Sequence, residues 1–190
     1  IYGKQKKIYN INSLIDTKIL NDKNRAFAKR IFGLHDDTFY ILTGCQYSHD
    51  PRKGFDYLTD ALKIFSKQIN NRKVELLLVS RSMNHHFDEI AIPKKHLEYI
   101  NDYRLLSLLY QASDVFVNSS VEDSGPMMVS EALACGTPVV GFDMGVLHNM
   151  VATGYNGYKA ELKNAKDLAK GIEIIYNLSD SEYAQFSKNA

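Results

Sequence analysis

Short runs rich in β-branched and aromatic residues alternate with helical patterns along this chain. The runs predict strands at 38–44, 74–80, 95–100, 114–118, 137–142 and 157–159. The helical patterns predict helices at 26–32, 55–68, 103–113, 126–134, 146–151 and 165–176. Strands joined by crossover helices form parallel sheets. The chain is therefore predicted to be an α/β protein with a Rossmann-like parallel sheet flanked by helices, and with ligands bound beyond the carboxyl ends of its strands.

Composition narrows the classes of protein that remain. The 190 residues contain 23 Lys and Arg against 22 Asp and Glu, which gives a formal net charge of +1. This balance argues against the broad basic surface of a nucleic-acid-binding protein. The sequence shows neither an apolar run long enough to span a membrane nor a signal peptide, so we expect a cytoplasmic location. Two cysteines are too few for a disulfide framework or a four-thiolate zinc site.

The two ends of the chain differ from its middle. Residues 1–21 are polar and irregular, which is more typical of a connector than of a core. Residues 22–178 contain all the predicted strands and form the main domain. Residues 179–190 have the pattern of a starting helix, with Ser179 or Asp180 as its N-cap. We expect that the chain is cut at both ends.

A strand, a polar loop and a helix meet within residues 117–142. The helix is predicted to begin at Pro126, where the backbone N–H groups of its first turn favour an anion such as a diphosphate. Asp123 and Glu131 can accept hydrogen bonds from hydroxyls. Carboxylates for hydroxyls beside amides for phosphate predict a nucleotide-sugar site. The residues of this segment assigned to donor binding are Ser124, Gly125, Pro126, Met127 and Met128.

A second loop, at residues 44–54, follows the first strong strand and precedes an amphipathic helix. Arg52 is a candidate bidentate donor to a diphosphate, Lys53 is a candidate point charge, and Gly54 allows close backbone approach. The loop matches neither a Walker phosphate loop nor GxGxxG. A basic pair at a loop tip is by itself more typical of solvated surface, so the phosphate hypothesis depends on the combination of both loops.

The run DSGPMMVSEALACGTPVVGFDMG resembles the signature region of the retaining glycosyltransferases of the GT-B fold, the glycosyl transferases group 1 family. In that family an acidic residue, seven intervening residues and a Glu precede an ACGTPVV-like strand. Four more segments are similar to the family and stand in its order: LIDTKI, RKGFDYLTDALKIF, YINDYRLLSLLYQASDVFVNSS and GYNGYKAELKNAKDLAKGI. The resemblance covers nearly the whole chain. It implies the C-terminal, donor-binding half of a GT-B enzyme of capsular, exopolysaccharide or lipopolysaccharide biosynthesis.

The resemblance implies a role for each candidate residue. Glu131 matches the Glu that holds the ribose hydroxyls, and Asp123 matches the acidic residue that orients the transferred sugar. Lys53 matches the Lys on the donor diphosphate, and these three residues are the catalytic candidates. Gly44, the glycine that ends the first strand, and Arg52 are further candidates for donor binding.

The sequence departs from the family pattern at several positions. A basic residue usually follows the glycine that ends the first strand, and Cys45 stands there, so compensation by Arg52 is left open. The family commonly has Glu in place of Asp123, a second Gly in place of Val146 and an acidic residue near Asn149. These departures bear on the identity of the donor more than on the fold.

The implied reaction transfers a hexosyl-type sugar, with retained configuration, from a UDP- or GDP-sugar. The acceptor is expected to be a glycan or a lipid-linked glycan bound through an N-terminal domain that this chain lacks, so the fragment alone is expected to be inactive. The resemblance also allows peripheral association of the full-length protein with the inner face of the membrane. No metal or other cofactor is expected, because the sequence has no Asp-x-Asp pair. His85 and His86 are poor joint ligands and are interpreted as part of a polar surface loop.

Two alternatives from other classes remain open. A sugar-nucleotide epimerase can share this architecture, but its helix-start loop is typically rich in glycine in the manner of SGG, unlike DSGPMM. A non-catalytic nucleotide-binding module is compatible with Cys45 and Asp123.

The apolar residues of the helix at 103–113, Tyr110 among them, are interpreted as packing that helix against the sheet.

Overall fold

The computed structural model describes residues 14–81, 85–123, 125 and 127–190. The strands are β1 (Thr38–Gly44), β2 (Lys73–Val79), β3 (Lys94–Leu97), β4 (Val115–Asn118), β5 (Val139–Phe142) and β6 (Gly157–Ala160). The helices are α1 (Arg25–Phe32), α2 (Phe55–Phe65), α3 (Tyr103–Ala112), α4 (Met127–Ala134), α5 (Gly145–Met150), α6 (Ala165–Tyr176) and α7 (Asp180–Asn189). The predicted α/β class is confirmed.

The six strands of the described residues form one parallel sheet in the order β3-β2-β1-β4-β5-β6. The direction of winding reverses between β1 and β4, which are neighbours in the sheet although two strands separate them in the chain. At such a switch point the loops that follow the two strands run apart and leave a crevice at the carboxyl edge. The fold therefore places residues after Gly44 and after Asn118 on either side of one crevice.

Both faces of the sheet are buried, because successive side chains of a strand point to opposite faces. Phe39 and Ile41 of β1 pack into the cluster that contains α2 and α6, whereas Tyr40 and Leu42 pack into the cluster that contains α1, α3 and α4. Strands buried on both faces are continuously apolar rather than alternating, as the central strands here are. This pattern made the strands predictable from sequence.

A buried carboxylate joins several elements at the amino edge of the sheet. Asp114, which is 3% exposed, accepts hydrogen bonds from Arg25 at 2.9 Å and Arg72 at 3.0 Å. Its other oxygen accepts from the backbone N–H of Tyr40 at 2.8 Å. The guanidinium of Arg25 also lies 5.2 Å from the centre of the Tyr183 ring on α7. These contacts fix α1 and α7 at the edge opposite to the crevice.

The predicted helix at the C-terminal end of the chain is confirmed as α7. Ser179 is its N-cap and forms a capping box with Glu182, which satisfies two backbone N–H groups reciprocally. At the other end, Leu20 is buried in the core although it lies within the segment that we expected to be a connector. Among the described helices, none has the length and apolar character that crossing a bilayer requires.

Some segments differ from prediction for identifiable reasons. β3 ends at Leu97 instead of residue 100, because its last partner, Val79, is also the last residue of β2. β5 begins at Val139 instead of residue 137, since Pro138 has no N–H to donate to a ladder. His85–Glu89 forms a 3₁₀ helix where the sequence predicted a loop, and Phe87 within it is fully buried with its ring 5.2 Å from that of Phe55. The side chains of His85 and His86 lie outside the described residues.

Candidate functional site

A pocket of about 680 Å³ opens at the carboxyl edge of the sheet. The loops that follow β1, β3 and β4 line it together with α4. The predicted site residues that line this pocket are Gly44, Arg52, Lys53, Asp123, Gly125, Met127, Met128 and Glu131. The other two predicted residues, Ser124 and Pro126, lie outside the described residues. Of these ten residues, all eight that the structure describes thus line the pocket at the switch point, whereas Gly54, of the same loop as Lys53, does not.

The loops that follow β1 and β4 are joined by backbone contacts. The hydroxyl of Ser119 donates to the carbonyl of Lys53 at 2.8 Å, and the N–H of Val121 donates to the carbonyl of Arg52 at 2.8 Å. Gly54 has a φ of +62° and lies so close that an added Cβ would overlap the carbonyl oxygen of Ser119. The Pro51–Lys53 3₁₀ turn is therefore seated directly on the β4 loop.

This seating brings the two oppositely charged candidates into contact. The ammonium of Lys53 lies 2.7 Å from Oδ2 of Asp123. The other oxygen of Asp123 accepts from the N–H of Gly125 at 3.1 Å, so this amide, predicted to face a diphosphate, serves the carboxylate instead. Gly145 supports the loop from behind, because a Cβ there would lie 2.7 Å from the carbonyl oxygen of Asp123. A diphosphate bound at Lys53 would adjoin Asp123.

Arg52 faces a partner that sequence reasoning did not assign. Its Nε and Nη2 donate to the two carboxylate oxygens of Asp50 at 3.0 and 2.8 Å. These hydrogen bonds lower the pKa of Asp50, and the side chain of Arg52 is 62% exposed. Arg52 would have to leave Asp50 before it could bind a diphosphate with its fork. The side chain of Lys53 is 32% exposed and is paired with Asp123, and donor binding by Lys53 and by Arg52 stays a prediction.

Gly44 and Cys45 shape the floor of the pocket. A Cβ on Gly44 would lie 2.9 Å from Cε of Met128 and 3.0 Å from the carbonyl oxygen of Val79, so glycine leaves room here for the Met128 side chain and for the backbone of β2. Burial raises the pKa of the Cys45 thiol to about 12, against a smaller opposing effect of Lys53. The thiol is therefore neutral near pH 7 and supplies no positive charge to a leaving group.

Glu131 occupies a very different environment from Asp123. It is 4% exposed and its Oε2 accepts from the hydroxyl of Tyr110 at 2.9 Å. Burial raises the pKa of Glu131, and the hydrogen bond from Tyr110 opposes this shift. Sequence reasoning assigned Tyr110 to packing alone and missed this contact. The available signal was a tyrosine on an otherwise apolar helix face, since a buried tyrosine hydroxyl requires a partner.

The loop between β3 and α3 was also missed as part of the site. Tyr99, Ile100, Asn101 and Tyr103 all line the pocket, and the guanidinium of Arg81 lies 5.1 Å from the centre of the Tyr99 ring. β3 lies two strands from β1, which is a separation of about 10 Å at the usual strand spacing. The pocket therefore has an aromatic side at the β3–α3 loop and a charged side at the β1 and β4 loops.

Metal ligands do not cluster in the part of the chain that the structure describes. There, no group of three or more His, Cys, Asp and Glu side chains is arranged to hold an ion. The close ion pairs of the pocket, Lys53 with Asp123 and Arg52 with Asp50, join carboxylates to cations instead. The expectation that no metal is needed stays a prediction.

The family model described as glycosyl transferases group 1 matches residues 38–177. The chain belongs to this family. An uncharacterized glycosyltransferase (MJ1178) of Methanocaldococcus jannaschii is 32% identical over 179 residues, which cover 83% of this chain and 46% of that protein. The glycosyl transferases group 1 domain thus spans about half the length of this relative.

Solved structures share the fold of this glycosyl transferases group 1 domain. Sucrose-phosphate synthase from Thermosynechococcus elongatus matches 92% of this chain and 44% of its own, with a TM-score of 0.77 and 24% identity. HepE (Alr3699) of Anabaena, solved in complex with UDP-glucose, matches 92% of this chain and 49% of its own, with a TM-score of 0.74 and 20% identity. The predicted GT-B type of glycosyltransferase domain is confirmed.

The seating of the 3₁₀ turn on the β4 loop makes a testable prediction about Gly54. Gly54→Ala is expected to lower the free energy of unfolding by about 3 kcal/mol or more, because a left-handed alanine costs about 1–2 kcal/mol and its Cβ also overlaps Ser119. Gly33→Ala is the matched control, since Gly33 has a φ of +63° and open space around an added Cβ. Urea unfolding measures both, and equal losses for the two variants would contradict the close contact.

Proposed function

We propose that this chain is the donor-binding domain of a retaining glycosyltransferase that transfers a sugar from a nucleotide sugar to a glycan acceptor. The observation that carries the proposal is the convergence of Lys53, Asp123 and Glu131 on one pocket at the switch point of the sheet. HepE, which has the same fold, was solved with UDP-glucose, and this supports a nucleotide-sugar donor.

The two sides of the pocket suggest how the donor lies. The base would stack at the aromatic side, against Tyr99 of the β3–α3 loop and Tyr103, the first residue of α3. Glu131 would accept hydrogen bonds from the ribose hydroxyls. The diphosphate would then reach Lys53 and the first turn of α4, whose backbone N–H groups favour an anion. The transferred sugar would adjoin Asp123, which lies beyond Lys53.

The same arrangement supports the chemistry of transfer. Cleavage of the anomeric bond develops positive charge on the sugar and negative charge on the departing diphosphate. Lys53 would stabilise the diphosphate, because a fixed cation is most effective where negative charge develops in the transition state. Asp123 would orient the sugar by accepting from its hydroxyls. Its negative charge also lies close to the carbon that becomes positive.

Further parts of the proposal concern the whole protein. We propose that a second domain supplies the glycan or lipid-linked acceptor, that the reaction needs no metal, and that the product belongs to a polysaccharide pathway at the cytoplasmic side of the membrane. This chain spans 46% of the Methanocaldococcus jannaschii relative, and this share supports a second half of similar size. The present chain would then bind the donor without turning it over.

A contact between Glu131 and the ribose is tested by removing either partner. Isothermal titration calorimetry of the chain should show that UDP binds more tightly than 2′-deoxy-UDP. Glu131→Ala should weaken UDP binding by about 10–100-fold, as expected for one or two hydrogen bonds to a charged group. In that variant the two nucleotides should bind alike. A variant that binds UDP as tightly as the unsubstituted chain would exclude this role.

Lys53 is expected to bind phosphate and not the nucleoside. Lys53→Ala should weaken UDP binding by about 10–100-fold and leave uridine binding unchanged, because a charge-assisted contact to the diphosphate is lost. Arg52→Ala is the matched control from the same turn, and its effect should be smaller because Arg52 is held by Asp50. A larger loss of UDP affinity in Arg52→Ala would reverse the two assignments.

Substitution of Asp123 tests whether the protein is an enzyme or a non-catalytic nucleotide-binding module. The neutral thiol of Cys45 is the observation that would favour the module. In the full-length protein, Asp123→Ala should lower turnover by roughly 100-fold, a transition-state effect of about 2.7 kcal/mol, and leave UDP affinity within about threefold. NMR of the product formed from an α-linked UDP-sugar should show a retained α linkage. Binding without any transfer by the unsubstituted full-length protein would support the module instead.

A further inference from the structure

One buried hydrogen bond lies directly beneath the pocket and has no part in the roles assigned above. The hydroxyl of Tyr110 on α3 donates to Oε2 of Glu131 on α4 at 2.9 Å. Tyr110 is fully buried. Glu131 is only 4% exposed and also lines the pocket. The bond therefore joins the interior of the domain to a carboxylate that a ligand can reach.

The position of the Tyr110 hydroxyl is fixed from two directions. The carbonyl of Tyr110 accepts from the hydroxyl of Thr137 at 2.7 Å, which attaches this turn of α3 to the segment before β5. The ring meets that of Phe116 edge to face, with centroids 5.7 Å apart and an interplanar angle of 86°. Such edge-to-face pairs have a preferred geometry. The hydroxyl can therefore act as a fixed anchor for its acceptor.

The anchor divides the two oxygens of the Glu131 carboxylate between two tasks. Oε2 is occupied by Tyr110, and in the described part of the chain this is the carboxylate's one recorded hydrogen bond. Oε1 remains for a ligand in the pocket that Glu131 lines. The flexible side chain of a carboxylate loses rotamer freedom when the carboxylate binds a ligand. A hydrogen bond that already restricts those rotamers reduces the conformational entropy lost on binding.

We propose that Tyr110 is a positioning residue that holds the carboxylate of Glu131 in the orientation in which it accepts from the ribose of the donor. The proposal rests on the proposed function, since it requires Glu131 to contact that ribose. It adds a residue that touches neither the donor nor the acceptor and that acts only through Glu131.

Charge gives the anchor a second effect that can be measured. Burial raises the pKa of Glu131 and the hydrogen bond from Tyr110 lowers it, so loss of the hydroxyl should raise the pKa further. The ionised carboxylate is the better acceptor for hydroxyls, and binding is lost as pH falls through the pKa. A higher pKa therefore moves the loss of binding to higher pH.

Other ionisable groups around this pair differ in kind from Glu131. Cys135 is buried at the end of α4, and burial raises its pKa to about 11, so it does not titrate near neutral pH. Tyr103, the first residue of α3, lines the same pocket as Glu131. Lys53 and Asp123 lie in the same pocket but are paired with each other. On α5, His148 is turned to Asp143 at 2.7 Å.

Tyr110→Phe tests the proposal while keeping the ring contact with Phe116 and the backbone bond to Thr137. Calorimetric titration with UDP across a pH series should show binding about 3–10-fold weaker near pH 7, the range for loss of one buried hydrogen bond. The acid limb of the binding profile should move to higher pH. The carboxyl carbon resonance of Glu131, followed by NMR without nucleotide, should titrate at higher pH than in the unsubstituted chain.

Tyr158→Phe is the matched control, because the hydroxyl of Tyr158 also donates to a carboxylate, that of Asp167 at 2.8 Å, at a place remote from the pocket. It should change neither UDP affinity nor the pH profile. If Tyr110→Phe weakens binding without moving the acid limb or the Glu131 titration, its role is structural only and the proposal is wrong.

The outcomes separate the two levels of inference. Loss of UDP binding in Glu131→Ala together with unchanged binding at every pH in Tyr110→Phe would overturn the positioning role alone. UDP binding that is insensitive to Glu131→Ala would overturn the proposed contact of Glu131 with ribose, and the role of Tyr110 with it.

Discussion

The site depends on the contact between Gly54 and the carbonyl of Ser119. β1 and β4 are neighbours in the sheet but distant in sequence, so their loops meet only if one backbone can lie directly on the other. A left-handed glycine without a Cβ permits this. The Ser119 hydroxyl and the Val121 N–H then hold the turn by hydrogen bonds to its carbonyls. Lys53 is carried by that turn. The packing of the two backbones therefore brings Lys53 within reach of Asp123, with which it forms an ion pair.

The two carboxylates proposed to contact the donor, Asp123 and Glu131, are made different by their surroundings. Asp123 lies beside the ammonium of Lys53 and accepts a hydrogen bond from the backbone N–H of Gly125. Glu131 lies in an apolar interior with one hydroxyl as its partner, where the charged form is disfavoured by burial. The negative charge of Asp123 is balanced by the cation paired with it, so no unbalanced negative charge would lie beside the diphosphate. The same carboxylate could still face a sugar that develops positive charge. A nearly buried carboxylate suits the neutral hydroxyls of a ribose, since the contact then replaces little water.

The sequence predicted the sheet, most element bounds and the convergence of the loops, because these follow from apolar periodicity and from the rule for parallel sheets. It missed contacts that depend on where a side chain ends. Tyr110 was correctly placed on the buried face of α3, but periodicity assigns a face and does not identify the acceptor of a hydroxyl on another helix. The pairing of Arg52 with Asp50 could have been predicted from the sequence. Asp followed by Pro is a helix-start signal, and it would have placed Asp50 as the cap of a short turn.

Under the proposed function, the neutral thiol of Cys45 affects how the charge of a departing diphosphate would be balanced. With a neutral thiol at that position and the fork of Arg52 closed on Asp50, Lys53 is the cation that already faces the pocket from the β1 loop. Lys53 is shared with Asp123, so its field at the diphosphate is partly cancelled. The first turn of α4 would then carry more of the stabilisation than in a site with two free cations, because helix amides supply positive potential without a counter-ion.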